Sequence, residues 1–243
     1  MLGVRLMAPR VDASPEPGKI QAMFDSIAGR YDLLNSLMTA GLHHRWRELG
    51  VLLAGVGEGD SALDVACGTG DFAFALKRVV GRSGRVVGLD FSDEMLDVAR
   101  AKCGRNQLWV DFVPGDLLDL PFPDGRFDAC TVGFGIRNVP DIERAFAEMG
   151  RVCRPGGRVV CLEITRPQII GFREFFGVWF DTVVPVLGRL TAGDDFAYSY
   201  LPASVRRFPD PDALRGMMEA AGLRNPRYEI LAGGIIALHH ASV

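Results

Sequence analysis

The sequence predicts an α/β fold: a mostly parallel sheet of seven strands, with helices on both faces and an antiparallel hairpin at the C-terminal end. Three observations predict it. Short apolar runs of strand length alternate with helical segments from Ala62 to Ile164, the order that packs parallel strands between two layers of helices. The first of these runs closes on Gly68 and Gly70, which marks a tight strand-to-helix turn. Near the C-terminus two strand-like runs are separated only by Ala232-Gly233, too short for a crossover helix and suited to a hairpin.

The elements follow in order. Met23, Phe24, Ile27, Tyr31, Leu34 and Leu37 recur at helical spacing, and Gly41 ends that run. A second helix runs from His43 to Leu53. Ala62-Leu-Asp-Val-Ala66 is a buried strand, Asp71 to Val80 a helix, and Arg85 to Asp90 the second strand. Ser92 caps a helix carrying Met95, Leu96 and Val98. Trp109 to Val113 and Phe127 to Val132 are the third and fourth strands. A helix from Asp141 to Cys153 stops at Pro155-Gly-Gly157, and Arg158 to Ile164 is the fifth strand. Pro211 opens a last helix through Ala221, before strands at Tyr228–Leu231 and Gly234–His239.

The chain of 243 residues reads as one domain over residues 19–243, with a loose Pro-containing tail at residues 1–18. Residues 19–55 form an N-terminal helical cap, and residues 171–207 interrupt the alternation as a helical insertion. A hydrophobic fraction of 48% suits a packed core and excludes a disordered chain. The formal charge of -3 offers no basic field for nucleic acid. Cys67, Cys103, Cys130, Cys153 and Cys161 are odd in number and form no C-x-x-C pair, so neither a disulfide framework nor a zinc site is expected. With no secretory segment and no uncharged apolar run of bilayer length, a cytoplasmic protein or one resting on the inner membrane surface is expected.

The chemistry gathers at the strand ends. Asp64-Val-Ala-Cys-Gly68-Thr69-Gly70-Asp71 places glycines where a ligand can approach the backbone, beside the free N–H groups of a helix start. An ordinary tight turn would look the same. Asp90 lies twenty residues past Gly70 at the end of the second strand, where a carboxylate can accept both hydroxyls of a ribose. Together these imply a nucleoside cofactor. Gly68-Thr-Gly70-Asp-Phe-Ala73 also fits the G-x-G-x-x-A form of dinucleotide sites, so a nicotinamide-dependent oxidoreductase stays open. So does a nucleoside-binding module without activity. Three features favour S-adenosylmethionine. Asp64 stands just ahead of the glycines, placed to meet an ammonium group, where a dinucleotide would bring an anionic pyrophosphate. Asp116, in Gly115-Asp-Leu117, can accept from an adenine amino group. Arg154-Pro-Gly-Gly-Arg158 is a turn common in class I methyltransferases.

Longer segments carry a closer likeness. They are Tyr31-Asp-Leu-Leu-Asn35, Gly41-Leu-His43, Trp46, Leu63 to Asp71, Leu120-Pro-Phe-Pro-Asp124, Phe134-Gly-Ile-Arg137-Asn138-Val139, Arg151 to Gly157, Tyr198-Ser-Tyr-Leu201 and Ala232 to His239. From Lys19 to His239 the chain resembles the menaquinone/ubiquinone biosynthesis C-methyltransferase family, within the Rossmann-like class I S-adenosylmethionine-dependent methyltransferases. The resemblance implies methyl transfer to a ring carbon of a prenylated quinol. It places cofactor contacts on Thr69, Asp90, Asp116 and Leu117, and on Gly133, where some relatives carry serine. The Cys67-Gly-Thr-Gly70 form of the loop leans toward demethylmenaquinol as acceptor; the alternative is the 2-polyprenyl-6-methoxy-1,4-benzoquinol of ubiquinone biosynthesis. A homodimer is allowed and not required.

Four residues are expected at the acceptor. Arg137 follows the fourth strand on the cofactor edge, where a guanidinium can hold a phenolate directly or through water; a surface pair with Asp141 is its alternative. Asn138 orients substrate or water. Tyr31 and His43 belong to the helices that the resemblance folds over the site, and His43 titrates in the range of a general base unless it is packed or capping. No metal is expected. Phe172, Phe175, Phe176, Trp179 and Phe180 make the insertion strongly apolar. It is read either as a core helix or as a groove for the prenyl chain or a membrane-facing surface.

Overall fold

The computed structural model describes residues 17–167 and 195–243. Seven strands form one sheet in the order β3-β2-β1-β4-β5-β7-β6. In chain order they are β1 (Ser61–Val65), β2 (Arg85–Asp90), β3 (Asp111–Pro114), β4 (Phe127–Gly133), β5 (Cys153–Ile164), β6 (Arg224–Leu231) and β7 (Ile236–Ser242). The first five pair in parallel. β7 runs antiparallel between β5 and β6. The chain reaches β2 and β3 on one side of β1 and β4 and β5 on the other. Such a reversal of strand order opens a crevice at the carboxyl ends of the strands.

Strand alternation sorts the core into two layers. Ala62, Val86, Ala129, Val160 and Leu162 face helices α3 (Leu42–Ala54), α4 (Asp71–Val80) and α5 (Asp93–Asn106). Leu63, Val87, Cys130, Val159 and Cys161 face α6 (Ile142–Val152) and α8 (Pro211–Ala220). Ser92, Asp141 and Asp210 cap α5, α6 and α8, each accepting from a backbone N–H three residues on, which satisfies one of the orphan donors of the first turn. All five cysteines are free thiols.

A third apolar cluster joins α1 (Pro17–Ile27) and α2 (Tyr31–Thr39) to the body. Ile20, Met23, Ile27 and Leu34 pack on Met95 of α5 and Tyr200 of α7 (Asp195–Arg207). The cap therefore lies across the carboxyl ends of the strands, over the crevice.

Several boundaries differ from the sequence reading, among them that of the sixth strand, which begins at Arg224 rather than Tyr228. The first helical run is two helices, because a tight 3₁₀ turn at Ala28–Arg30 intervenes around the poor helix former Gly29. The third strand begins at Asp111, and Trp109, expected inside it, is 77% exposed on the linker. The fifth strand begins at Cys153: Cys153 pairs with Phe127 and Arg158 with Ala129, so the Pro155-Gly-Gly157 turn is a bulge within the strand. The final strand starts at Ile236, after a short turn at Ala232–Gly234. Of the apolar insertion, only Asp195–Arg207 is described, as α7; Phe172 to Leu187 lie outside the described residues. Among the described residues, no helix is long and apolar enough to cross a membrane.

Candidate active site

A cavity of about 1070 Å³ occupies the crevice between the strand ends and the cap. One wall is the loop from β1 to α4. Ala66, Cys67, Gly68 and Thr69 line it, with Gly68 at φ +53°. Gly70 does not line the cavity. At φ +84° it turns the chain into α4, and a Cβ there would stand 2.7 Å from Phe112 and 3.1 Å from Phe74. Gly70 is therefore required for packing behind the loop, where the sequence reading had placed it against the cofactor.

Asp90 ends β2 with a buried carboxylate in the cavity wall. It accepts from the N–H of Gly68 at 2.7 Å and of Ser92 at 3.0 Å. A carboxylate has about four acceptor positions, so two remain for a ribose diol. Burial raises its pKa against the pull of those backbone donors. Leu117 and Asp116 follow on the same wall. Asp116 is exposed, and one of its oxygens accepts from the Leu118 N–H, leaving the other for an amino group. Asp64 is placed differently from expectation. It is 1% exposed, lies behind the loop and lines no part of the cavity. One oxygen accepts from Thr131 at 2.8 Å, and the other has no hydrogen-bond partner among the described residues. Burial pushes its pKa up to about 7. Its part is to tie β1 to β4 beneath the loop rather than to meet an ammonium group directly.

The cap is clamped to the loop by charge. Lys102 of α5 reaches Asp32 at 2.6 Å, Asp71 at 2.7 Å and the Thr69 carbonyl at 3.0 Å. The Thr69 hydroxyl donates to Asp32. Burial works to raise the Asp71 carboxyl, and Lys102, with Arg47, more than offsets it. His43 is a correction. Arg47 donates to its Nδ1 at 2.5 Å, and its Nε2 faces the Ser36 hydroxyl at 3.2 Å. The ring is 1% exposed and outside the cavity wall. Burial, then the Arg47 charge, lowers its pKa to about 4. With both nitrogens engaged and no access to the cavity, His43 is a packing residue and no general base. His43, His44 and Asp71 do bring ligand atoms within 4.8 Å of one another, but Arg47 and Lys102 already hold two of them and oppose a cation there.

Arg137, Asn138, Tyr31 and Gly133 also line the cavity. Arg137 does not pair with Asp141. Its Nη1 donates to Glu163 at 2.8 Å and to the Phe134 carbonyl, and both partners of the ion pair are buried. Burial works against the charge on Arg137, and Glu163 more than restores it. Asn138 Oδ1 accepts from the Tyr200 hydroxyl at 2.9 Å, which fixes the amide. Tyr31 stands against the loop and packs edge-on to Phe24 at 6.3 Å. At Gly133 a Cβ would come 2.9 Å from Phe72, so this chain has little room for the serine of some relatives. Tyr200 and Arg47 in the cavity lining, and Glu163, Lys102 and Asp32 in the ion pairs beside it, are residues to which the sequence reading gave no role. An acid inside the apolar run Val159 to Ile164, and a lysine in a chain with three, were the available signals.

A mostly parallel sheet with an antiparallel β7, a glycine loop after β1 and an acid at the end of β2, facing one cavity, define a class I S-adenosylmethionine-dependent methyltransferase. The residues present fit that cofactor: two open acceptor positions on Asp90 and an open oxygen on Asp116 face the same cavity as the glycine loop. Solved structures share the fold. They include a SAM dependent methyltransferase from Aquifex aeolicus (19% identical, TM-score 0.55, covering 93% of this chain and 97% of that one). The [4+2]-cyclase SpnF is also similar (21% identical, TM-score 0.64, covering 89% and 76%). The ubiE/COQ5 methyltransferase family model matches residues 13–243, and the chain belongs to that family. It is 41% identical over 232 residues to the ubiquinone/menaquinone biosynthesis C-methyltransferase UbiE of Edwardsiella ictaluri, covering 94% of this chain and 92% of that one. It is 41% identical over 224 residues to the demethylmenaquinone methyltransferase of Bacillus subtilis, covering 91% and 95%. The cofactor is S-adenosylmethionine, and the nicotinamide alternative falls away.

Proposed function

We propose that this chain methylates a ring carbon of a prenylated quinol, with demethylmenaquinol the preferred acceptor. The observation that carries the reading is that two sets of residues line one cavity: Gly68, Asp90 and Asp116, suited to a nucleoside, and the buried Arg137 with the Tyr200–Asn138 pair, suited to an acceptor. When bound, S-adenosylmethionine supplies an electrophilic methyl group on a sulfonium. The protein has to orient the acceptor and stabilise the charge that activates it. A quinol hydroxyl, once ionised, pushes electron density onto the neighbouring ring carbon. Arg137, kept charged by Glu163, is the cation of the acceptor set suited to that phenolate. Asn138, fixed by Tyr200, presents its amide to the ring or to water. No histidine lines the cavity wall among the described residues, so the ring proton passes to water in this reading. The name of the Bacillus subtilis relative supports the naphthoquinol, and the name of the Edwardsiella relative leaves the benzoquinol as second reading. A polyprenyl acceptor resides in a bilayer, so the same proposal has the enzyme meet it at the membrane surface.

The test compares initial rates with the two quinols at matched prenyl length, each reduced and oxidised. The reduced naphthoquinol is expected to have the highest kcat/KM, and neither oxidised quinone is expected to turn over, because only the quinol has a hydroxyl to ionise. Equal rates with reduced and oxidised acceptors would overturn the phenolate step; a higher kcat/KM with the benzoquinol would exchange the two acceptors.

A further inference from the structure

Arg47 is a buried guanidinium with no carboxylate at ion-pair distance among the described residues. It projects from α3, is 6% exposed, and lines the cavity beside Thr69 and Asp71. Its Nη1 donates to His43 Nδ1 and to the His43 carbonyl at 3.2 Å, and its guanidinium lies 5.3 Å from the Phe134 ring centroid. All of these partners are neutral. Asp71 and Asp32 are ion-paired to Lys102, and the buried Asp64 and Asp71 feel the Arg47 charge without forming an ion pair with it. Among the described residues Arg47 forms no ion pair, and its Nη2 and Nε make no hydrogen bond. Buried charges are ordinarily paired, because an uncompensated one costs several kcal/mol. The other buried arginine of the cavity, Arg137, obeys that rule through Glu163. Arg47 has only the more distant Asp64 and Asp71 to offset its charge, and an anion in the cavity would complete its pairing.

The cavity's ligand brings one. With adenine at Asp116 and ribose at Asp90, the amino-acid end of the cofactor would lie along the glycine loop, toward Thr69, Asp71 and Arg47, which line the same cavity. We propose that Arg47 binds the α-carboxylate of the methionine moiety, through the Nη2 and Nε edge left over from its bonds to His43. A planar guanidinium offers two parallel donors that match a carboxylate. His43 then has a definite role: its Nδ1, an acceptor toward Arg47, turns the guanidinium so that this edge faces the cavity. Sequence reading alone had given Arg47 no role at all.

The test is calorimetric binding of three nucleosides to the full chain. S-Adenosylhomocysteine carries the carboxylate and ammonium. Decarboxylated S-adenosylmethionine keeps the ammonium and lacks the carboxylate, and 5′-methylthioadenosine lacks both. R47Q is expected to weaken S-adenosylhomocysteine by about 10- to 100-fold, as for the loss of hydrogen bonds to a charged group. It should leave the affinities for the other two within about twofold of wild type. R47K keeps the charge and loses the fork, so it should fall between wild type and R47Q for S-adenosylhomocysteine alone. An equal loss for all three nucleosides would show that Arg47 only supports the fold of the cap. An unchanged affinity for S-adenosylhomocysteine would remove Arg47 from the cofactor site. If R47Q does not fold, R47K gives the same contrast, and it overturns the proposal if the three ligands are weakened alike.

Discussion

Glu163 was not singled out in the sequence, yet the position of Arg137 depends on it. Its two oxygens accept from Arg137 Nη1 at 2.8 Å, from the Arg137 N–H at 3.3 Å and from the Ile164 N–H at 2.8 Å. The side chains of Glu163 and Arg137 are 1% and 7% exposed. Glu163→Ala removes every one of these acceptors and leaves the guanidinium buried, with an Nε that already has no partner among the described residues. Breaking a buried pair from one side costs about 3–5 kcal/mol. In a domain of this size each kcal/mol moves the melting point by about 2–4 °C, so a fall of about 6–20 °C is expected. Arg137→Met alone should cost a similar amount, because it leaves Glu163 buried and unpaired. The double variant, Arg137→Met with Glu163→Ala, removes both charges together. Its cost should fall short of the sum of the single variants by about 2 kcal/mol or more. Chemical denaturation of the four proteins closes the cycle. If Glu163→Ala costs less than about 1 kcal/mol, or if the two single variants simply add, the ion pair is not what holds Arg137 in place. A kinetic readout separates stability from chemistry. Glu163→Gln keeps the volume and should lower kcat while cofactor affinity stays near wild type.

Three further outcomes follow from the geometry. Asp90→Ala should weaken S-adenosylhomocysteine by about 1.5–3 kcal/mol in a calorimetric titration; unchanged affinity would mean that the β2 acid is only a turn-former. Gly70→Ala should lose about 1–3 kcal/mol of stability in denaturant, because its methyl would enter the space of Phe112 and Phe74 at positive φ; an unchanged midpoint would show that those rings yield freely. The third concerns pH: His43 has its folded pKa lowered from 6.5 to about 4, so its contribution to stability is complete above the unfolded value of about 6.5. Between there and about pH 4 the unfolded chain binds a proton that the folded chain refuses, and stability is lost as pH falls. The melting point of His43→Gln should therefore depend less steeply on pH across that window, and an equal slope would contradict the burial of a neutral ring.

Much of the fold could be read because apolar runs of strand length stand out against helical spacing. Asp71–Val80 and Arg85–Asp90 were bounded correctly from that contrast, and Ser92 announced its own cap. The boundaries that moved depend on longer-range pairing. Cys153 joins β5 only because Phe127 of β4 faces it across a bulge, which no local pattern can state. At the site, residues tied to a turn or a strand end were legible: Gly68, Thr69, Asp90, Asp116 and Leu117 line the cavity. Residues whose meaning comes from a partner distant in sequence were not. For Arg137, read at the acceptor, the alternative partner Asp141 lay four positions away, and its ion pair is with Glu163 instead. His43 could be read as a base or as a packed ring, because its type titrates near neutrality; burial, then the Arg47 charge, removes the first property. Asp64 was assigned to the cofactor by its place ahead of the glycines, yet strand alternation turns it toward Thr131.

The destination of the methyl group decides the whole functional reading. With a ¹³C-labelled methyl donor, reduced demethylmenaquinol and purified protein, the product is examined by carbon and proton NMR. The expected result is one labelled methyl bonded to a ring carbon, with the ring proton at that carbon gone and both oxygens free of label. A labelled methoxy group, or transfer of label to neither oxygen nor ring, would contradict C-methylation of a quinol by this chain.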